Sequence, residues 1–147
     1  GRSDDGLGNE FVNEFKQLAK TNNWNHIDFD SNYQLNIEDA DNIAGYDYVF
    51  FVDASEENIE DFILTKVNPD DARIEFTMHA VSTSYILSLC SQLYKDAPQT
   101  YLIHIKGYDW EFKEEISEKA MENLHKAIHF LKNHIHQPDK IHQFINN

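Results

Sequence analysis

The chain has 147 residues, enough for one domain with a buried core. Its 26 acidic and 12 basic residues give a net charge of -14, which repels phosphate backbones and anionic headgroups and so excludes nucleic-acid and membrane partners on electrostatic grounds. The single cysteine makes no internal disulfide, no apolar run approaches the ~20 residues that cross a bilayer, and there is no signal-peptide pattern, so a soluble, cytoplasmic protein is expected, with a monomer as the default.

Leu7, Phe11, Phe15 and Leu18 recur at helical spacing and predict a helix over 8–21, with Asp4 and Asp5 ahead of it, where negative charge suits a helix N-terminus. Asn22, Asn23 and Asn25 mark its end. Residues 26–30 read as a short strand and 36–44 as a short helix or turn. The run Tyr48-Val49-Phe50-Phe51-Val52 is apolar throughout, as in a parallel strand covered on both faces, and stops at Asp53. Residues 62–67 predict a strand near a sheet edge. Residues 74–78 alternate apolar and polar, as in a strand with one wetter face, and stop at His79. Residues 82–94 read as a helix with Tyr85, Ile86, Leu89 and Leu93 inward, and 101–105 as a mostly apolar strand. The last helix is predicted over 118–134, capped by Ser117, with Met121, Leu124, Ile128, Leu131 and Ile135 as its buried stripe. Residues 136–147 read as a loose or weakly helical tail. Strands alternating with helices predict an α/β protein, a three-layer α/β/α sandwich around a mostly parallel twisted sheet, in one domain over 1–147.

Such sheets bind ligands at the carboxyl ends of their strands. Asp53 and His79 each follow a predicted strand, and the Asp4-Asp5 pair opens the first helix, so the three places converge on one rim. Two carboxylates and an imidazole suit a divalent ion such as nickel or zinc, with positions left open for water or substrate. Each residue also has a structural reading. An aspartate at a strand end is often a cap or loop acid, and Asp4 and Asp5 serve equally as helix-dipole partners.

These segments carry a family resemblance. Arg2-Ser3-Asp4-Asp5-Gly6-Leu7-Gly8 resembles the Arg-x-Asp-Asp-Gly-x-Gly segment of the nickel–iron hydrogenase maturation proteases. Residues 48–54 are similar to that family's apolar strand ending in Val-Asp-Ala. Thr77-Met78-His79 with the following helix resembles its strand–His–helix segment, and 106–118 resembles its late passage through an acidic stretch into the last helix. The matches fall in the family's order and span nearly the whole chain.

The resemblance implies an endopeptidase that removes the C-terminal extension of a nickel-loaded hydrogenase large-subunit precursor. It implies that Asp5, Asp53 and His79 read the nickel, which the substrate supplies, with zinc or another divalent ion able to substitute. Asp4 would be a helix-start residue or support the ligands from behind. Metal-assisted hydrolysis is the implied chemistry, since the sequence has no Gly-x-Ser-x-Gly, His-Glu-x-x-His or phosphate-loop motif. Two other readings stand beside it: a non-proteolytic metal-binding or chaperone-like relative, and a related peptidase with a non-hydrogenase substrate. The family also has a strand ending in Gly-x-Gly-Asn before the Arg-x-Asp-Asp segment. The sequence opens inside that loop, so the resemblance implies a central strand ahead of Arg2.

Three further features are read structurally. Cys90 reads as a buried core thiol. His125 and His129 share a helix face four residues apart and read as a solvated flank before they read as a metal pair. Tyr108, Trp110 and Phe112 read as a loop pinned by its rings, with a partner-docking lip as the alternative.

Overall fold

The computed structural model describes residues 3–31, 35–71, 82–111 and 115–146. Its elements are helix α1 over Leu7–Thr21, the short α2 over Asp39–Ile43, strand β1 over Tyr48–Ser55, strand β2 over Phe62–Lys66, α3 over Thr83–Leu93, strand β3 over Gln99–Lys106 and α4 over Glu118–His134. Short 3-10 turns cover Pro69–Asp71 and Pro138–Phe144.

Local chemistry sets most of these boundaries. Asn23 takes a left-handed φ of 57°, and the Trp24 amide turns back to the Ala19 carbonyl at 2.8 Å, which ends α1. Ser82 and Ser117 cap α3 and α4 by accepting from the amides of Tyr85 and Ala120.

The sheet has the order β1-β3-β2, with β1 and β3 parallel and β2 antiparallel on the outer edge of β3. Side-chain alternation along the strands gives each sheet face its own core. On one face Phe50, Val52, Leu64, Tyr101, Ile103 and Ile105 pack with α1 and α4, and the Phe50 and Tyr101 rings stack 5.5 Å apart. On the other, Val49, Phe51 and Leu102 pack with Ala40 and Ile43 of α2 and Ile86, Leu87 and Cys90 of α3. The result is the expected α/β/α layering, built on a small mixed sheet. No described helix is long and apolar enough to cross a membrane.

Several expectations change. β1 continues past Val52 to Ser55 because its ladder with β3 runs on through Asp53↔His104 and Ser55↔Lys106. Asp53 therefore lies within the strand rather than beyond its end. β1 is only half-buried on both faces, as befits an edge strand. Residues 27–30 are not a strand; among the described residues they have no ladder partner. Leu93 is exposed, because α3 ends there and its last turn stands in solvent. The tail is more ordered than expected. Ile141 is fully buried against the α4 side, and Asn146 bonds Leu64 through both backbone and side chain, covering the outer edge of β2. The predicted strand 74–78 and His79 lie outside the described residues.

One feature of β1 matters for the site. The Asp47 and Ser55 carbonyls accept from Gln99 and Gly107 on the β3 side, so odd-numbered residues turn their backbone toward β3. In a parallel ladder the alternate residues, here Tyr48, Phe50, Val52 and Ala54, turn their amides and carbonyls to the other edge. Among the described residues no strand pairs with that edge. Beside it lies a groove of about 870 Å³, lined by β1, by residues 26–31 and by Phe11 and Phe15 of α1, and by no residue of β3.

The N-terminus of α1 meets this same edge. A Cβ added at Gly8 would lie 2.7 Å from the Val52 carbonyl oxygen, so only glycine lets the helix approach so closely. Gly8→Ala is expected to force α1 off β1 and cost about 1–3 kcal/mol in denaturant unfolding. Gly6→Ala, whose Cβ would meet Ser3 backbone at an ordinary 3.4 Å, should be near neutral by the same measurement.

Candidate functional site

The site begins with Asp4, which is fully buried. Its Oδ2 accepts from the backbone amides of Tyr108 at 2.6 Å and Asp109 at 2.8 Å and from the Ser117 hydroxyl at 2.8 Å, and its Oδ1 accepts from the Ser117 amide at 2.8 Å. The Asp4 amide in turn donates to the Asp109 carbonyl at 3.0 Å. Burial by itself would raise the Asp4 pKa, but the three amides and the hydroxyl outweigh it and hold the carboxyl below its ordinary value. Ser117 caps α4, so the anion also sits at a helix N-terminus. Asp4 is thus a staple between the N-terminal loop, the loop after β3 and α4.

That staple fixes the loop from which Asp5 projects. Asp5 is exposed and lines the groove beside β1, as does Asp53. The two acids come from different elements: the Asp53 pKa is raised, first by desolvation, against the Ala54 amide and His104, which lower it, with the charge of Asp5 a smaller cause that raises it. The Ala54 amide donates to Asp53 Oδ1 at 2.9 Å. Asp53 is itself exposed, and two exposed carboxylates along one groove are hard oxygen donors of the kind that can take a cation. The third expected ligand, His79, lies outside the described residues, and among the described residues no group of three or more His, Cys, Asp or Glu is placed to hold a metal.

A residue that the sequence reading passed over stands beside Asp53. His104 is its direct partner across the β1–β3 ladder. By alternation it shares a face with Leu102, as Asp53 does with Val49 and Phe51, so both point to the α3 side of the sheet. Thr65 on β2 faces the same way, and its Oγ1 lies 2.8 Å from His104 Nε2. Burial lowers the His104 pKa, while Glu57 and Asp53 pull it upward. The available signal was a lone imidazole interrupting the apolar run Tyr101-Leu102-Ile103-His104-Ile105.

The remaining candidates resolve as structural groups. His125 bonds Glu14 at 2.9 Å and His129 bonds Asn133 at 3.0 Å, so the two imidazoles are engaged separately on an exposed flank. The Tyr108 hydroxyl accepts from Asn123 at 2.9 Å, and the Lys119 ammonium sits 4.7 Å from the ring centre. Trp110 packs so closely on Gly107 that an added Cβ would lie 2.8 Å from the indole. Those two rings pin the loop, as the structural reading expected; Phe112 lies outside the described residues. Cys90 is fully buried, which raises its pKa and removes it as a nucleophile.

This arrangement is the α/β fold of the nickel–iron hydrogenase maturation proteases. The maturation protease HycI from Thermococcus kodakarensis KOD1 superimposes with a TM-score of 0.63 at 18% identity, over 90% of this chain and 83% of its own. HybD from Thermococcus kodakarensis gives 0.61 at 15% identity over 90% of each chain, and HybD from E. coli gives 0.56 at 13% over 89% and 85%. No family model matches the chain, and no curated protein matches it. At these identities the likeness defines a shared fold.

Asp4→Ala strands three amides and a hydroxyl and is expected to cost about 3 kcal/mol or more of folding stability. Because the folded-state pKa of Asp4 is lowered, its stabilisation is complete above the ordinary carboxylate range and is lost as pH falls through the folded value. Unfolding midpoints measured down an acid series should therefore drop steeply in the parent and less in Asp4→Asn.

Proposed function

We propose that this chain is an endopeptidase of hydrogenase maturation, which removes the C-terminal extension of a nickel-loaded large-subunit precursor. The observation that carries this reading is the meeting of Asp5 and Asp53, from the loop before α1 and from β1, along one groove of a maturation-protease fold. Asp5, Asp53 and His79 read the nickel of the substrate; His79 enters on the family resemblance alone. The metal belongs to the precursor and is substrate rather than resident cofactor. Once docked, a divalent ion polarises the scissile carbonyl or a water, and the carboxylates of this chain hold it in place and orient that water. The chain acts as a cytoplasmic monomer in this reading, and its net charge of -14 favours a basic extension on the precursor.

A nickel titration by calorimetry tests the site. The parent is expected to bind about one ion, and Asp53→Ala, Asp5→Ala and His79→Ala each to weaken binding at least tenfold and to abolish cleavage of a precursor carrying its extension. Full cleavage by Asp53→Ala or His79→Ala would falsify the assignment.

A further inference from the structure

We infer that His104 is a positioning residue for Asp53, held in place by Thr65, and that the three side chains form one row across the sheet. The inference rests on the metal-reading role proposed above and adds two residues to it.

The row follows from topology. Asp53, His104 and Thr65 sit on three neighbouring strands in the order β1-β3-β2, and all three face the α3 side. His104 is level with Asp53 in the parallel ladder, where paired side chains stand side by side. Thr65 is paired with Leu102, two residues back, so its hydroxyl reaches the imidazole diagonally and takes Nε2 at 2.8 Å. Among the described residues nothing bonds Nδ1, which leaves that nitrogen as the ring's remaining polar group on a side chain that flanks Asp53.

Asp53 itself is half-anchored. Its Oδ1 accepts from its neighbour's amide at 2.9 Å, and among the described residues no group bonds Oδ2. An imidazole fixed beside it narrows the rotation of a carboxylate that, with Asp5, lines the groove. This is the work of groups behind a metal ligand, which orient it without touching the ion. A tether that served only to satisfy a half-buried histidine would leave ion binding untouched, so affinity separates the two roles.

The experiment is a nickel titration of the full chain by calorimetry, with thermal melts alongside, on the parent and on His104→Leu, His104→Gln and Thr65→Val. His104→Leu is expected to weaken nickel binding about tenfold to a hundredfold, as loss of such a supporting group does. Thr65→Val keeps the shape of the side chain but removes the tether. It should weaken binding severalfold while its melting temperature stays close to that of the parent. His104→Gln, which retains a hydrogen-bonding group, should recover most of the affinity. If His104→Leu fails to fold, Thr65→Val decides the matter. Parent-like affinity in a folded His104→Leu, or in Thr65→Val when the leucine variant does not fold, overturns the positioning role while the metal-reading site stands. A parent that neither binds nickel nor cleaves the precursor overturns that site, and the role of His104 with it.

Discussion

The carboxylate of Asp4 is the constraint on which the rest of the site depends. A buried anion in a chain already carrying a charge of -14 is costly unless its lone pairs are satisfied. Here three amides and a hydroxyl satisfy them, and the N-terminus of α4 adds its partial positive charge. The bonds tie residues more than a hundred positions apart in sequence and join the N-terminal loop, the loop after β3 and α4. Asp5 inherits its position from this staple: the residue that projects toward the groove does so because its neighbour cannot.

Two glycines make the same junction tight. Gly8 lets α1 approach the Val52 carbonyl, and Gly107 makes room for both Asp4 and the indole of Trp110. In each case a single methyl group would meet a neighbour closer than 3 Å, in a region where backbone and rings have little room to yield. The acidic loop and the end of β1 are therefore held together by absence of side chain as much as by attraction. Asp5 and Asp53 line one groove, and the charge of Asp5 is among the causes that raise the Asp53 pKa. The imidazole of His104 stands beside Asp53 on the next strand.

The sheet explains why Asp53 has these neighbours. Because β1 runs on beside β3 to Ser55, Asp53 stands level with His104 instead of hanging over the rim in a loop. The antiparallel β2 then brings Thr65 to the far side of the same imidazole. A fully parallel sheet would have given a different diagonal neighbour there. The C-terminal tail closes the outer edge of β2 through Asn146, so the open edge of the described sheet is that of β1, next to the acids and the groove.

The sequence by itself determined the helices and the apolar strands. Their signals are local: Phe11 and Phe15 at helical spacing, Ser82 and Ser117 as caps, the unbroken run from Tyr48 to Val52. It also nominated the Asp4-Asp5 pair, Asp53 and His79, because polar groups at the junctions of strands and helices are visible as pattern, and the family resemblance singled out Asp5 from the pair. Only the tertiary structure decided the rest. That Asp4 is a buried staple and Asp5 the exposed partner cannot be read from two adjacent aspartates, since the difference lies in amides contributed by Tyr108, Asp109 and Ser117. That residues 27–30 form no strand depends on whether a neighbour offers its backbone, which no local periodicity records. The order of Thr65, His104 and Asp53 across the sheet is likewise a property of pairing. Strand register sets which side chains stand side by side, and register is fixed by contacts between segments, not within them.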